Sequence, residues 1–428
     1  MAIRSSRAGT RAGDRAPAPA GSRTEQARRS RVVRAIAAAA VLLVLVVVVP
    51  AVLSDFALGL TTLFLPFAIL ALSIDLLWGE NRLISFGQGA FFAAGGYIAG
   101  LVLLGRPYDV VSGATSFLQA STSKPLLNRV LEALHGIQVA GVPIPALVLP
   151  PLIMGVVGLV VGLIVFRVTD PEVYLPLITL GIGVVAGIWF NELSPLGASN
   201  GLGGIPSFTE GFGGSARTNG YLFNLAFALA AYGGYWWFRR SELGWTWRAL
   251  GDDPVRLEAL GYPVRRMRAF GFAVSCGIAG LAGALYAASA GFMSPSIAGV
   301  AFSAQALIWV AVGGVGTLLG PLVGTMVVKW GEQILSSSLG LQDSWQLFLG
   351  LLLILVVLVA PGGIVGFRRR DLRAPAFARR RLIPGARRTG SGEDARAATG
   401  IGDGPATDVA PGGPVGDASL QGTGAPRA

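Results

Sequence analysis

Cysteine occurs once in this 428-residue chain, histidine once and lysine twice, while charged residues make up 13% of the total, about half the share usual in soluble domains. Each shortage excludes something. The one thiol, Cys276, lies within an apolar segment, so no disulfide closes within the chain and a thiolate metal site has no ligands. The one imidazole, His135, leaves metal-ion chemistry and His-based nucleophilic catalysis without partners. No Gly-Lys-Ser/Thr occurs, and GGVGTLLG at 313–320 lacks the lysine of a phosphate loop. ATP hydrolysis by the chain itself is therefore not expected, nor any bound cofactor, and no linked set of carboxylates and histidines suggests a proton relay.

What is abundant is apolar sequence, at 53% of residues. It falls in continuous blocks of about twenty residues without the alternation of outer-membrane strands. The expected fold is all-α: a polytopic transmembrane helical bundle of about ten spans, at 35–53, 56–78, 83–104, 146–166, 174–190, 221–238, 269–290, 297–313, 318–335 and 345–360. The glycines Gly313, Gly314 and Gly316 mark 297–317 as an interrupted or re-entrant segment. The net charge of +11 lies mostly in the two ends. Residues 1–34 carry nine arginines against Asp14 and Glu25, and Arg368, Arg369, Arg370 and Arg373 begin a second basic cluster. Beside a membrane such segments hold anionic lipid and fix topology rather than read nucleic acid. The domain reading is a disordered basic cytoplasmic arm (1–34), a transmembrane domain (35–366) and a basic, then low-complexity, disordered cytoplasmic tail (367–428). The arm is too long, and lacks the cleavage site, for a signal peptide. By the positive-inside rule both termini of this multi-pass membrane protein are expected in the cytoplasm.

One charged island interrupts the apolar pattern, RRSELGWTWRALGDDPVRLEALGYPVRRMR at 239–268. Asp252 and Asp253 are candidate N-caps, Pro254 fits the first helical position and Gly261 the stop, leaving two helical turns from Val255 to Leu260. The flanking arginines place this loop on the cytoplasmic side. It is either an ordinary solvated loop or the docking point of a soluble partner. On the outer side, 105–145 contains an amphipathic stretch, Leu126 to Leu134, and 192–220 is rich in glycine around SNGLGGIPSF. Polar side chains within the apolar runs mark a substrate path by default: Asp75, Ser85, Gln88 and Gln305. Lys329 and Glu332, spaced i, i+3, suit a structural pair. Gly87, Gly89, Gly95, Gly96 and Gly100, with Gly277, Gly280 and Gly283, suit close helix packing or a glycine-lined solute path.

The motifs fall in a known order. Leu76-Leu77-Trp78-Gly79, Ile84-Ser85-Phe86-Gly87-Gln88-Gly89-Ala90-Phe91-Phe92 and Gly95-Gly96-Tyr97 resemble the signature of the second permease subunit of branched-chain amino acid and urea ABC importers. Arg248-Ala249 and Glu258-Ala259-Leu260-Gly261-Tyr262 resemble that family's coupling loop. Ala279 to Tyr286 and Ser199-Asn200-Gly201-Leu202 also match. Ser294-Pro295-Ser296, Phe302-Ser303 and Ile308 to Gly314 look more like the urea branch. The set covers residues 56 to 365. Family members often have an aromatic and a glycine where this chain has Glu80 and Arg82, and a histidine at Gln88.

The resemblance implies a transmembrane path for a small polar solute, urea ahead of branched-chain amino acids, with no catalysis in this chain. It implies ATPase coupling through Arg248, Asp253, Pro254, Leu257, Glu258 and Gly261. It also implies a second homologous permease subunit, two cytoplasmic ATPase subunits holding ATP and Mg, and an extracytoplasmic substrate-binding protein. A stand-alone channel or secondary transporter is the reading of a different class. The island helix, without intramembrane ion machinery, separates the two.

Overall fold

The computed structural model describes residues 43–105, 125–139, 142–167, 171–193, 196–210, 212–213, 215–339 and isolated positions between 348 and 365. After a short helical stretch at Val44–Val52, the helices are α1 (Asp55–Asp75, continuing as a π turn over Leu76–Glu80), α2 (Gln88–Leu104), α3 (Pro125–Gly136) and α4 (Ile144–Val165). They continue with α5 (Pro171–Glu192), α6 (Ala216–Arg240), α7 (Glu242–Asp252), α8 (Pro254–Ala259), α9 (Val264–Ala290), α10 (Val300–Gly313) and α11 (Gly320–Leu339). Two two-residue antiparallel ladders complete the order: β1 (Gln138–Val139) with β2 (Val142–Pro143), and β3 (Leu202–Gly203) with β4 (Phe292–Met293).

Helices stand at eight of the ten expected runs, while 35–53 and 345–360 lie partly outside the described residues. Among the described residues four helices are long and apolar enough to cross a membrane: Asp55–Glu80, Ile144–Val165, Glu172–Glu192 and Val264–Ala290. The first and last of these are buried over most of their length, and the other two are not. So α1 and α9 form the interior. Apolar residues such as Val156 and Val160 on α4, and Leu177 and Val185 on α5, face outward, as helices at the rim of a bundle in lipid should.

The centre is a three-helix contact of α9 with α2 and α4, the most extensive packing in the molecule. It is made by small residues. A Cβ on Gly283 would collide with the Phe92 carbonyl, and one on Gly280 would lie 2.8 Å from Met154. The glycine faces thus serve helix packing, where the absence of side chains lets backbones touch. Around Phe67, aromatic rings of Phe92, Tyr286, Phe302 and Trp309 fill the wider space between α1, α2, α9 and α10, at centroid distances of 4.9 to 5.9 Å.

Two helices are short. The run expected from residue 83 becomes helical only at Gln88, and α10 begins at Val300 after a 3-10 turn at Pro295–Ala298. At 14 residues α10 is about 21 Å long, against a hydrocarbon thickness of about 30 Å. It stops at Gly314, whose φ of 115° belongs to a region open essentially to glycine. The expected interruption at 313–316 is there.

Candidate functional site

The island is two helices rather than one. Ser241 caps α7, its Oγ accepting from the Gly244 N–H at 3.2 Å, and Trp247 and Leu250 bury the inner stripe of that helix. Asp253 caps α8, with Oδ1 accepting from the Arg256 N–H at 3.1 Å and Pro254 at the first position. Gly261 follows with φ 87°, the left-handed stop that the sequence marks. Asp252, the other candidate cap, ends α7 and pairs instead with Arg82 at 2.5 Å. Arg265, Arg266 and Arg268 belong to the first turns of α9.

Not every expected coupling residue faces outward. Leu257 is buried with Leu250 and Val264, because α8 needs one apolar contact to lie against α7 and α9. Arg248 turns toward the bundle. These two position the island. Val255, Glu258, Leu260 and Gly261 form its exposed face, and the bare Val255 and Leu260 side chains are each 74% exposed.

Inside the island lies a polar joint that the sequence pattern did not indicate. Glu80, at the end of the π turn, has a fully buried carboxylate. Its Oε1 meets Arg239 Nε at 2.7 Å, and its Oε2 lies 3.3 Å from Arg248 Nε. The second contact is charge without a hydrogen bond, since Arg248 Nε donates to the Gly244 carbonyl and another of its nitrogens to the Arg239 carbonyl. Tyr235 Oη lies 2.9 Å from Asp75 Oδ2 and 3.2 Å from Glu80 Oε1, one phenolic hydrogen facing two carboxylates. Asp75 Oδ1 accepts from the Gly316 N–H at 2.7 Å. The joint therefore binds α1, α6, α7 and the loop after α10. Glycine permits the approach: a Cβ on Gly79 would lie 2.7 Å from the Gly316 Cα, and one on Gly251 would lie 2.5 Å from the Glu80 carbonyl oxygen.

A second polar knot joins the starts of the short helices. The Phe86 N–H donates to Thr179 Oγ1 at 3.1 Å, and the Gly89 N–H to Ser303 Oγ at 2.9 Å. Gln88 Nε2 donates to Ser275 Oγ at 3.0 Å, and that hydroxyl donates to the Ser73 carbonyl at 2.7 Å. Gln88 Oε1 is buried with no donor among the described residues. Ser85 is buried, its Oγ accepting from the Gly87 N–H at 3.4 Å. Of the four residues expected along a substrate path, Ser85 and Gln88 thus share this knot, Asp75 belongs to the joint, and Gln305 is half-buried on α10. No hydrogen bond among the described residues links any two of the four. Lys329 and Glu332 pair at 2.8 Å as expected, with the ammonium 4.9 Å from the Phe67 ring centre.

Apolar helices of membrane-crossing length, with two shorter apolar helices that start at a buried polar knot and loop helices tied by buried charge to the core, define a multi-pass helical membrane protein. The chain belongs to the family described as branched-chain amino acid transport system / permease component, whose pattern matches residues 56–358. It is 27% identical over 349 residues to the high-affinity branched-chain amino acid transport system permease protein LivM of Escherichia coli (strain K12), spanning 76% of this chain and 73% of that protein. It is 27% identical over 290 residues to the autoinducer 2 import system permease protein LsrC of Salmonella paratyphi B, spanning 66% of this chain and 78% of that one. No solved structure matches. Neither relative's name carries urea, so the urea-type expectation gains no support and the branched-chain amino acid alternative is the better supported.

Proposed function

We propose that this chain is a membrane-path subunit of an ABC importer that moves a branched-chain amino acid or a similar small polar solute into the cytoplasm. A second homologous permease would complete the path, two cytoplasmic ATPases would drive it, and an extracytoplasmic binding protein would deliver the solute. The observation that carries this reading is the family match, which runs unbroken across both the bundle and the island. The island has what such a role requires. Its exposed α8 face offers an apolar knob beside Glu258, and its buried side is fixed to α1 and α6 through Glu80, so a push on α8 is transmitted instead of being absorbed by a loose loop. On this reading Asp253, Pro254, Glu258 and Gly261 shape or present the contact, and Arg248 and Leu257 hold it in place. Ser85 and Gln88, with the unpartnered Gln88 oxygen, are the polar groups we assign to the path, because a buried free acceptor in an apolar bundle needs a donor from outside the fold.

Uptake of labelled leucine and labelled urea by the reconstituted complex tests the substrate. Leucine accumulation dependent on ATP and on this chain is expected; urea without leucine would overturn the assignment. Coupling is tested separately with Glu258→Arg. The side chain is exposed, so stability should change by no more than about 0.5 kcal/mol, while transport-stimulated ATP hydrolysis falls severalfold. Normal uptake by a stably inserted Glu258→Arg protein would show that α8 is not the motor contact and would favour a self-sufficient channel or secondary transporter.

A further inference from the structure

A cavity of about 660 Å³ opens between the end of α6, the start of α7 and the loop after α10. Trp236, Arg239, Arg240, Trp245, Arg248 and Thr317 line it. Three guanidiniums face two carboxylates, Glu80, which is shared by Arg239 and Arg248, and Asp75, which lies behind Gly316 at the cavity wall. Arg240 has no ion-pair partner among the described residues; its guanidinium carbon lies 3.8 Å from the centre of the Trp236 ring, and that of Arg248 lies 4.5 Å from the Trp245 ring. The cavity therefore holds an excess of positive charge, fixed in place by indole faces. Its apolar wall is bare, Trp245 and Leu319 each being at least half exposed, and Trp237 and Leu243, beside the lining residues in sequence, are exposed to the same degree. Tryptophan beside arginine at the end of a membrane helix is the side-chain pattern of the headgroup level, and stacked arginine suits a phosphate oxygen fork.

The exposed α8 face lies on the other island helix and is uncharged at Val255 and Leu260, so it does not share this chemistry. Nor does the chain's own continuation suit the cavity. Val365 lines one side, and the sequence beyond it carries Arg368, Arg369 and Arg370, which repel a basic site. We propose that this cavity binds the phosphate of an anionic phospholipid, with Arg240 as its principal ligand and the acyl chains lying along Trp237, Leu243 and Leu319. Because Arg239 and Arg248 also hold Glu80, an occupying phosphate competes directly for the groups that fasten the island to the bundle. Lipid occupancy then sets how tightly the joint closes.

The test uses the full chain purified from membranes and exchanged into bilayer discs of equimolar phosphatidylglycerol and phosphatidylcholine, with retained lipid counted by native mass spectrometry. Wild type should retain phosphatidylglycerol over phosphatidylcholine. Arg240→Ala should reduce that preference about fivefold, the factor for about 1 kcal/mol per basic residue at a membrane surface. Arg265→Ala, which removes an equal charge outside the cavity, should leave the preference unchanged, and it also guards against a general effect of net charge. Loss of preference in Arg265→Ala equal to that in Arg240→Ala, or no preference in wild type, would overturn the proposal. Displacement of the retained lipid by millimolar inorganic phosphate would also overturn it, by making the ligand a soluble anion.

Discussion

The centre of the bundle and the island joint are both tightly closed, but by opposite means. Where α9 crosses α2 and α4, contact depends on what is missing: Gly280 and Gly283 bring backbone against backbone, and no charge takes part. At the joint, contact depends on what is present, with Asp75, Glu80, Tyr235, Arg239 and Arg248 interlocked within hydrogen-bond range or close to it. The first arrangement has one good geometry and a steep wall on either side. The second can exchange partners, because charges and hydroxyls have alternative arrangements of comparable energy. A membrane machine needs both: a part that does not yield and a part that can change hands.

The comparison breaks most sharply at Gly283. Replacing it with leucine drives a side chain into the Phe92 carbonyl, where even a Cβ collides. Overpacking of this kind costs about 1–3 kcal/mol or more, and here it should abolish stable insertion, measured as the yield of monodisperse protein. Folding of Gly283→Leu at wild-type yield would show that the centre is as tolerant as the joint. At the joint, Glu80→Ala should be survivable. Losing one member of a fully buried pair costs about 3–5 kcal/mol, but Arg239 and Arg248 are 25% and 32% exposed and can turn to water. A loss of about 2 kcal/mol is therefore expected, seen as a lower thermal midpoint, together with faster proteolysis within 239–263. If the midpoint falls and the island remains protease-resistant, the carboxylate supports the bundle and not the island.

The smallest effect belongs to Arg82. Its φ of 57° is left-handed, a conformation glycine adopts freely and arginine at about 1 kcal/mol. Arg82→Gly removes that strain and the Asp252 pair together. The pair is exposed on both sides and is worth about 0–1 kcal/mol, so the thermal midpoint should hardly move. A drop as large as that of Glu80→Ala would mean that the surface pair carries the joint.

Positions 80 and 82 also show what the sequence concealed. In the sequence they stand only as departures from the family signature, with no role attached. In the structure they carry the ion pairs between the end of α1 and the island, Glu80 with Arg239 and Arg248, and Arg82 with Asp252. The partners are some 160 to 170 residues apart, and neither local propensity nor helical period reports at that range. A signal was available, since a carboxylate in an apolar setting implies a cation nearby. The bundle itself was legible because an apolar run of spanning length has few alternatives. So was α8, whose Asp, Pro and Gly carry positional chemistry. The α7 helix was missed although Ser241 followed by Glu242 is a fair cap, because its apolar stripe is broken by Arg248 and the exposed Trp245. The π turn at Leu76–Glu80 had no sequence mark at all.

The short α10 has a consequence for the membrane itself. A helix about 21 Å long leaves about 9 Å of a typical hydrocarbon slab to be spanned by non-helical chain. Around 295–299 and 314–319 the peptide groups must then find partners other than the helical ladder, and hydrocarbon supplies none. Some are found within the protein, as where Thr317 Oγ1 donates to the Gly314 carbonyl. Others are found in the same way, the Ile297 and Gly299 N–H groups donating to the Ser294 and Ser296 carbonyls and the Gly316 N–H to Asp75. If α10 flanks the path proposed above, the stretch of that path walled by regular helix is some two-thirds of a typical hydrocarbon slab, and its two ends are walled by backbone held inside the protein.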